Sequence, residues 1–240
     1  MPNWCRNEIK FQIYSFDDSD IYLESILDFL KETIPNYNRR IKIARLAYER
    51  EIAIAKIEGK DVRWSSFDER NKERGIFDFN NLIPYPKEFK ERDEDAQLLG
   101  DVAFLEKYGD NKDGFNSGGY EWCNKHWKTK WGPSNVLWVK QQHTFYFDTA
   151  WGPSIPIVSE LHKRFPEVHI QYEYYEKGSA FIGGCEFIPE DDWSPSDYSA
   201  EEVHTIEQYT KRFGKAPDSK WEAGKAYNPW SMDYMGFKGG

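Results

Sequence analysis

Residues 129–154 read TKWGPSNVLWVKQQHTFYFDTAWGPS, in which the hexapeptide T-x-W-G-P-S occurs twice, as Thr129–Ser134 and Thr149–Ser154. Between the copies, Asn135–Lys140 and His143–Asp148 are two runs of β-branched and aromatic residues around Gln141 and Gln142. That pattern predicts one β-hairpin. Pairing residues across its centre sets Trp131 opposite Gly152 and so brings Trp131 beside Trp151. Val136, Trp138, Phe145 and Phe147 then share one face and form the expected core, with Leu137, Val139, Thr144 and Tyr146 on the other. Gln141-Gln142 lacks the glycine of a tight primed turn, which points to a longer loop or to a register displaced by one residue.

Working outward, Trp4–Tyr14 alternates Ile9, Phe11 and Ile13 with Glu8, Lys10 and Gln12, the period of a half-buried strand. Asp17, Asp18, Ser19 and Asp20 offer N-caps to a helix whose apolar positions run from Ile21 to Ile34, with Pro35 as its stop. After the hairpin, Ser154 can cap a second helix with Pro156 in its first turn, Ile157, Leu161 and Phe165 as its buried stripe and Pro166 as its end. Ile170–Tyr174 and Phe181–Phe187 read as two further strands, paired through a turn at Gly178. The order strand, helix, strand, strand, helix, strand is the split βαβ arrangement of an α+β, ferredoxin-like fold, an antiparallel sheet with helices on one face, plus one terminal strand.

The expected organisation is a discontinuous ferredoxin-like domain over residues 1–189, an insertion at about 36–118, and an acidic C-terminal extension over 190–240 packed on the body. Within the insertion, Arg39–Gly59 reads as a helix with Ile41, Ala44, Tyr48, Ile52 and Ala55 on one face, followed by a weakly patterned stretch with an extended segment at Ile76–Leu82. Tyr120–Lys130 reads as a short amphipathic helix carrying Tyr120, Cys123, Trp127 and Trp131 on one stripe. In the extension, a helix is expected at Ala200–Phe213, and Trp193, Trp221 and Trp230 pin the segment to the body.

Composition narrows the function. Of the 240 residues 17% are aromatic, including ten tryptophans, so several indoles must be structural. A net charge of -9 argues against a sequence-independent binder of duplex DNA, which needs a basic face to release counterions. No apolar run is long enough to span a bilayer, and the three distant cysteines fit reduced thiols, so a cytoplasmic protein without membrane partners is expected. From Arg39 to Arg63, eight basic residues face four acidic ones, a local reversal most simply read as a solvated face.

Four segments together resemble a known family: Pro2-Asn3-Trp4-Cys5 with Asn7, Asn81-Leu82-Ile83-Pro84-Tyr85-Pro86, Tyr120-Glu121-Trp122 through Thr129-Lys130-Trp131, and Phe147-Asp148-Thr149-Ala150-Trp151. They are similar to the YubB-like proteins of bacterial plasmids and phages. The resemblance implies a ferredoxin-like domain and a mobile-element origin, and no reaction, because the family has no settled activity. Glycine is more usual in that family where Lys128 stands, and a second proline where Ser154 stands.

The candidate ligand site is an aromatic pocket of Trp127, Trp131 and Trp151 with Tyr120, rimmed by Lys125, Lys128 and Lys130 with His126 nearby. Indole faces stack on bases and lysines meet phosphates, so a nucleotide or short single strand suits these residue types. The competing reading makes the tryptophans packing residues. Cys123 and His126 have one-turn spacing but no second pair of zinc-site spacing, so no metal is expected, and no cofactor. Asp148 could act as a general base, yet alternation places it opposite His143 and Thr149, and no nucleophile signature occurs. Three classes follow: a non-enzymatic nucleotide-capturing protein, an acidic inhibitor of a host defence protein acting through Asp191, Asp192, Asp197, Glu201 and Glu202, and a nucleotide-processing enzyme.

Overall fold

The computed structural model describes residues 3–13, 19–60, 75–176, 181–187 and 201–203. In chain order they form β1 (Trp4–Gln12), α1 (Ser19–Leu30), α2 (Ile34–Glu58), α3 (Lys87–Leu98), α4 (Asp101–Tyr108), α5 (Tyr120–His126), β2 (Ser134–Val139), β3 (Thr144–Ala150), α6 (Ile155–Arg164), β4 (His169–Glu176), β5 (Phe181–Phe187) and β6 (Glu201–Val203). All strand pairs are antiparallel, in the order β2-β3-β1-β4-β5-β6. The segment β2-β3-β1-β4 is the ferredoxin-like sheet that the order of elements predicts; β5 and β6 extend it at one edge. The chain divides into two compact units, Met1–Tyr22 with Trp127–Gly240, and Leu23–His126.

In the first unit, β1 is central and its alternation decides the faces. Cys5, Asn7, Ile9 and Phe11 are buried, and Ile9 pairs with Phe145 on one side and Tyr172 on the other. Phe145, Phe147, Ile170 and Tyr172 continue that layer at 1% exposure or less. Each such side chain contributes about 1.5–3 kcal/mol by leaving water. Glycine at 183 is a packing requirement, because a Cβ there would lie 2.4 Å from the Tyr174 hydroxyl, well short of van der Waals contact distance. Helix α6 adds Ile157, Val158 and Leu161 to the buried set, and it ends at Arg164, before Pro166, as expected.

The central hairpin keeps the expected register at Val139↔Thr144, Trp138↔Phe145 and Leu137↔Tyr146, then shifts, so that Ser134 and not Asn135 pairs with Asp148. The extra residue is absorbed where Asn135 adopts φ 51, a left-handed conformation that asparagine tolerates. At the other end, Lys140–Gln142 is a 3₁₀ turn closed by His143 at φ 50, the longer loop that the missing glycine foretold.

In the second unit, α2 confirms the helical reading of Arg39–Gly59, but it begins earlier. Pro35 opens this helix instead of stopping the previous one, because a proline in the first turn loses no hydrogen bond, and Thr33 Oγ1 accepts from Asn36 N at 3.4 Å as the cap. The extended reading of Ile76–Leu82 is corrected to a 3₁₀ turn at Phe79–Asn81, capped by Asp78. Helices α3 and α4 were not foreseen; α3 is so polar that it buries no residue fully. The helix expected at Ala200–Phe213 begins instead as β6, paired with β5, while residues 204–213, Trp193, Trp221, Trp230, Asp191, Asp192 and Asp197 lie outside the described residues.

Candidate functional site

The two T-x-W-G-P-S copies meet at the open end of the hairpin through their hydroxyls. Thr129 Oγ1 accepts from Ala150 N and donates to Ala150 O, both at 3.0 Å. Thr149 Oγ1 donates to Gly152 O at 2.7 Å and accepts from Asn7 Nδ2 at 2.8 Å. Ser154, expected to cap α6 with its side chain, instead donates through Oγ to Trp127 O at 2.6 Å. Its N–H donates to the Tyr172 hydroxyl at 3.0 Å, which in turn donates to Asn7 Oδ1 at 2.6 Å. Asn7, Thr129, Thr149, Ser154 and Tyr172 are all at 1% exposure or less, so this is a buried network with its groups satisfied, and each bond resists opening by the desolvation cost of its partner.

That network forces two loops into unusual backbone. Trp151 sits at φ 76 with its N–H donating to Asn3 O at 2.9 Å, and the residue is 54% exposed. Lys128 sits at φ 59 and is exposed, which explains why glycine suits this position. A bulky residue held left-handed costs about 1–2 kcal/mol, and an indole left in water adds to the cost.

The indoles are not arranged as the hairpin alone suggests. Trp131 makes its ring contact with Trp4, at 6.2 Å between centroids and 59° between planes, and Lys130 Nζ lies 4.9 Å from the Trp131 ring. Trp4 pairs with Ala150 across the sheet, so a strand that is distant in sequence stands where Trp151 was expected. Trp127 is 5% exposed, which removes its face from any ligand and corrects its place in the pocket. On the same sheet face as Trp4, two residues along β1, Arg6 Nη1 approaches both Asp148 oxygens, at 3.0 and 3.1 Å, and Asn135 Nδ2 donates to Asp148 Oδ2 at 2.7 Å. Burial pushes the Asp148 carboxyl up while Arg6 and Asn135 pull it down. So held, Asp148 is a structural anchor of the sheet, facing away from Thr149 as expected.

Tyr120, Lys125 and His126 belong to the other compact unit. Tyr120 is 41% exposed and meets Phe115 edge-on at 5.6 Å. His126 stacks on Trp122 at 4.4 Å, and its Nδ1–H donates to Trp122 O at 2.9 Å, which leaves Nε2 as the basic nitrogen. Lys125 is exposed. Nearby in the same unit, Tyr85 donates to Asp93 Oδ2 at 3.2 Å, and Asp93 Oδ1 accepts from Phe115 N at 2.8 Å, where Phe115–Gly119 forms one π turn. Gly119 lies under Tyr85, whose hydroxyl would be 1.9 Å from a Cβ, so these glycines serve close packing. Burial chiefly, and then Asp93, push the Cys123 thiol up to about 12, so it is protonated at neutral pH.

The sheet, its order and the hydroxyl-bound loops now carry a comparison with known proteins. Residues 126–214 match the family model described as the ferredoxin-like domain in Api92-like protein. The Api92-like match spans β2 to β6 and leaves out β1, although β1 is the strand between β3 and β4. A crystal structure of a protein api92 from Yersinia pseudotuberculosis is similar at 12% identity, covering 81% of this chain and 100% of that one, with a TM-score of 0.46. Among curated proteins none matches. Among the described residues, no helix is long and apolar enough to cross a membrane.

Sequence reasoning missed Trp4, Arg6 and Asn7 as parts of this end of the sheet. The parity of β1 puts Trp4 and Arg6 on one face, but only the position of β1 beside β3 brings Trp4 to Trp131 and Arg6 to Asp148.

Proposed function

We propose that the chain is a non-enzymatic binding protein of a mobile element, of the YubB-like kind of phages and plasmids, that captures a nucleotide-like ligand on the rim formed by Trp4, Trp131 and Trp151 with Lys128 and Lys130. The observation that carries this reading is Trp151, 54% exposed and held at φ 76 by the network around Thr149 and Ser154. Strain and exposed apolar area at one position are what a preorganised stacking surface requires and what a packing residue avoids. Lys130 over the Trp131 ring and exposed Lys128 supply cations for phosphate, against an overall charge of -9. A counter-defence role, the sequestering of a nucleotide signal, fits such a protein.

Titration of the purified protein with linear and cyclic nucleotides, followed by tryptophan fluorescence, tests the reading. Saturable quenching is expected, lost in Trp151→Ala, with the nucleotide recovered intact after overnight incubation. No response at millimolar nucleotide would sink the proposal, and recovery of a converted nucleotide would replace it with an enzyme.

A further inference from the structure

We propose that the outer edge of β2 pairs with β2 of a second copy of this chain, so that two sheets join edge to edge. The main-chain directions follow from β1. Phe11 N–H donates to His143 O and Trp151 N–H donates to Asn3 O, both at 2.9 Å, so the odd-numbered residues of β3 turn their N–H and C=O toward β1. Thr144 and Tyr146 turn theirs the other way, to Val139 and Leu137 of β2. Trp138, between those two, is left with its N–H and C=O pointing out of the sheet, and among the described residues no hydrogen bond meets them. The two edges of the sheet differ. β6 is three residues long and carries Glu201 and Glu202, the brevity and charge that keep an edge from pairing. From Ser134 to Val139, β2 has no charge and no proline, and its bulge at Asn135–Val136 precedes the regular run of Leu137, Trp138 and Val139. Such an edge is a template for another strand.

Register selects the second copy as the occupant. Antiparallel pairing about a two-fold axis at Trp138 lets each Trp138 donate to and accept from the other. Indole then meets indole on the face of Phe145, and on the opposite face Leu137 of each copy meets Val139 of the other. Val136 meets the aliphatic stem of Lys140 of the partner copy, whose ammonium stays in water. No charge faces a like charge along this edge, although each copy carries a net charge of -9. The edge is thus complementary to itself on both faces, as a two-fold interface must be. A strand of 6 residues spans about 20 Å, so the buried area is small and the dimer is weak and concentration-dependent.

Sedimentation equilibrium of the full chain, from about 10 µM to about 1 mM, should show the average mass rising toward that of a dimer. Over the same range, hydrogen exchange should slow at the Trp138 amide, while the Leu137 and Val139 amides, bonded to β3, stay slow throughout. Leu137→Lys and Val139→Glu each set a charge against an apolar partner and should each weaken association by about tenfold. An equimolar mixture of the two variants should recover it, because one contact between positions 137 and 139 then joins opposite charges and the other is the native pair. No general effect on folding produces that recovery. A chain that stays monomeric throughout, or a mixture no better than either variant alone, would overturn the proposal. So would a Trp138 amide already slow at the lowest concentration, which would mean that another segment of the same chain covers the edge.

Discussion

Lys128 shows how one residue holds stability and binding in opposition. Its φ of 59 is costly for lysine and free for glycine, and its side chain is exposed, so little packing is lost on truncation. Lys128→Gly should therefore stabilise the protein by about 0.5–1 kcal/mol in urea denaturation, since relief of strain outweighs the greater freedom of the unfolded chain. The same substitution removes a cation from the proposed nucleotide rim, so affinity should fall severalfold as stability rises. A variant with unchanged stability would mean that the loop relaxes its strain elsewhere. The hydroxyls of Thr129, Thr149 and Ser154 were visible in the sequence as a repeat, but their roles were not. A hydroxyl that bonds the backbone of another loop depends on strand order, and strand order is set by β1, more than a hundred residues away.

At the scale of elements, α6 carries a titration. His162 is 3% exposed on this helix, its ring 5.3 Å from Phe187, and burial chiefly, with nearby His169 acting in the same sense, holds its pKa below the usual value. A histidine whose folded pKa is lowered binds protons better when unfolded. Its stability contribution is whole above the unfolded pKa, about 6.5, and declines as the pH falls through that value toward the folded pKa. Urea midpoints should accordingly fall between about pH 7 and pH 5, and His162→Leu should flatten that slope. A slope unchanged in the variant would assign the acid sensitivity to other groups. Elements whose pattern follows from burial were legible: β1, α6, β4 and β5 alternate or repeat as their faces demand. The hairpin was legible in its pairing but not in its faces, since β3 is buried along its whole length and Val136 and Trp138 of the edge strand β2 are only half-buried. Elements held by polar contacts were not legible. Helix α3, joined to α2 by Arg39–Glu94 and Lys90–Asn36, shows no apolar stripe that a periodicity reading could find.

At the scale of the whole molecule, the order of strands in the chain and their order in space disagree in a way that constrains folding. β1 lies at the start of the chain, yet it is bonded along nearly its whole length to β3 on one side and to β4 on the other. The Api92-like match at residues 126–214 contains both neighbours without the strand between them. A fragment of residues 126–214 would expose the inner edges of β3 and β4, two rows of unpaired backbone groups bordering the Phe145, Phe147 and Tyr172 layer. It should show no cooperative thermal transition and should aggregate. Fusing residues 1–31, with β1 and α1 entire, to residues 126–240 through a long Gly/Ser linker closes the sheet again and should restore a cooperative transition followed by circular dichroism. Because β1 must find partners so distant in sequence, loop closure precedes most of the stabilising contacts, and refolding of the full chain should take milliseconds to seconds. The fusion shortens that loop and should refold faster than the full chain in stopped-flow fluorescence; an equal or slower rate would mean that residues 32–125 help to bring β1 to its place.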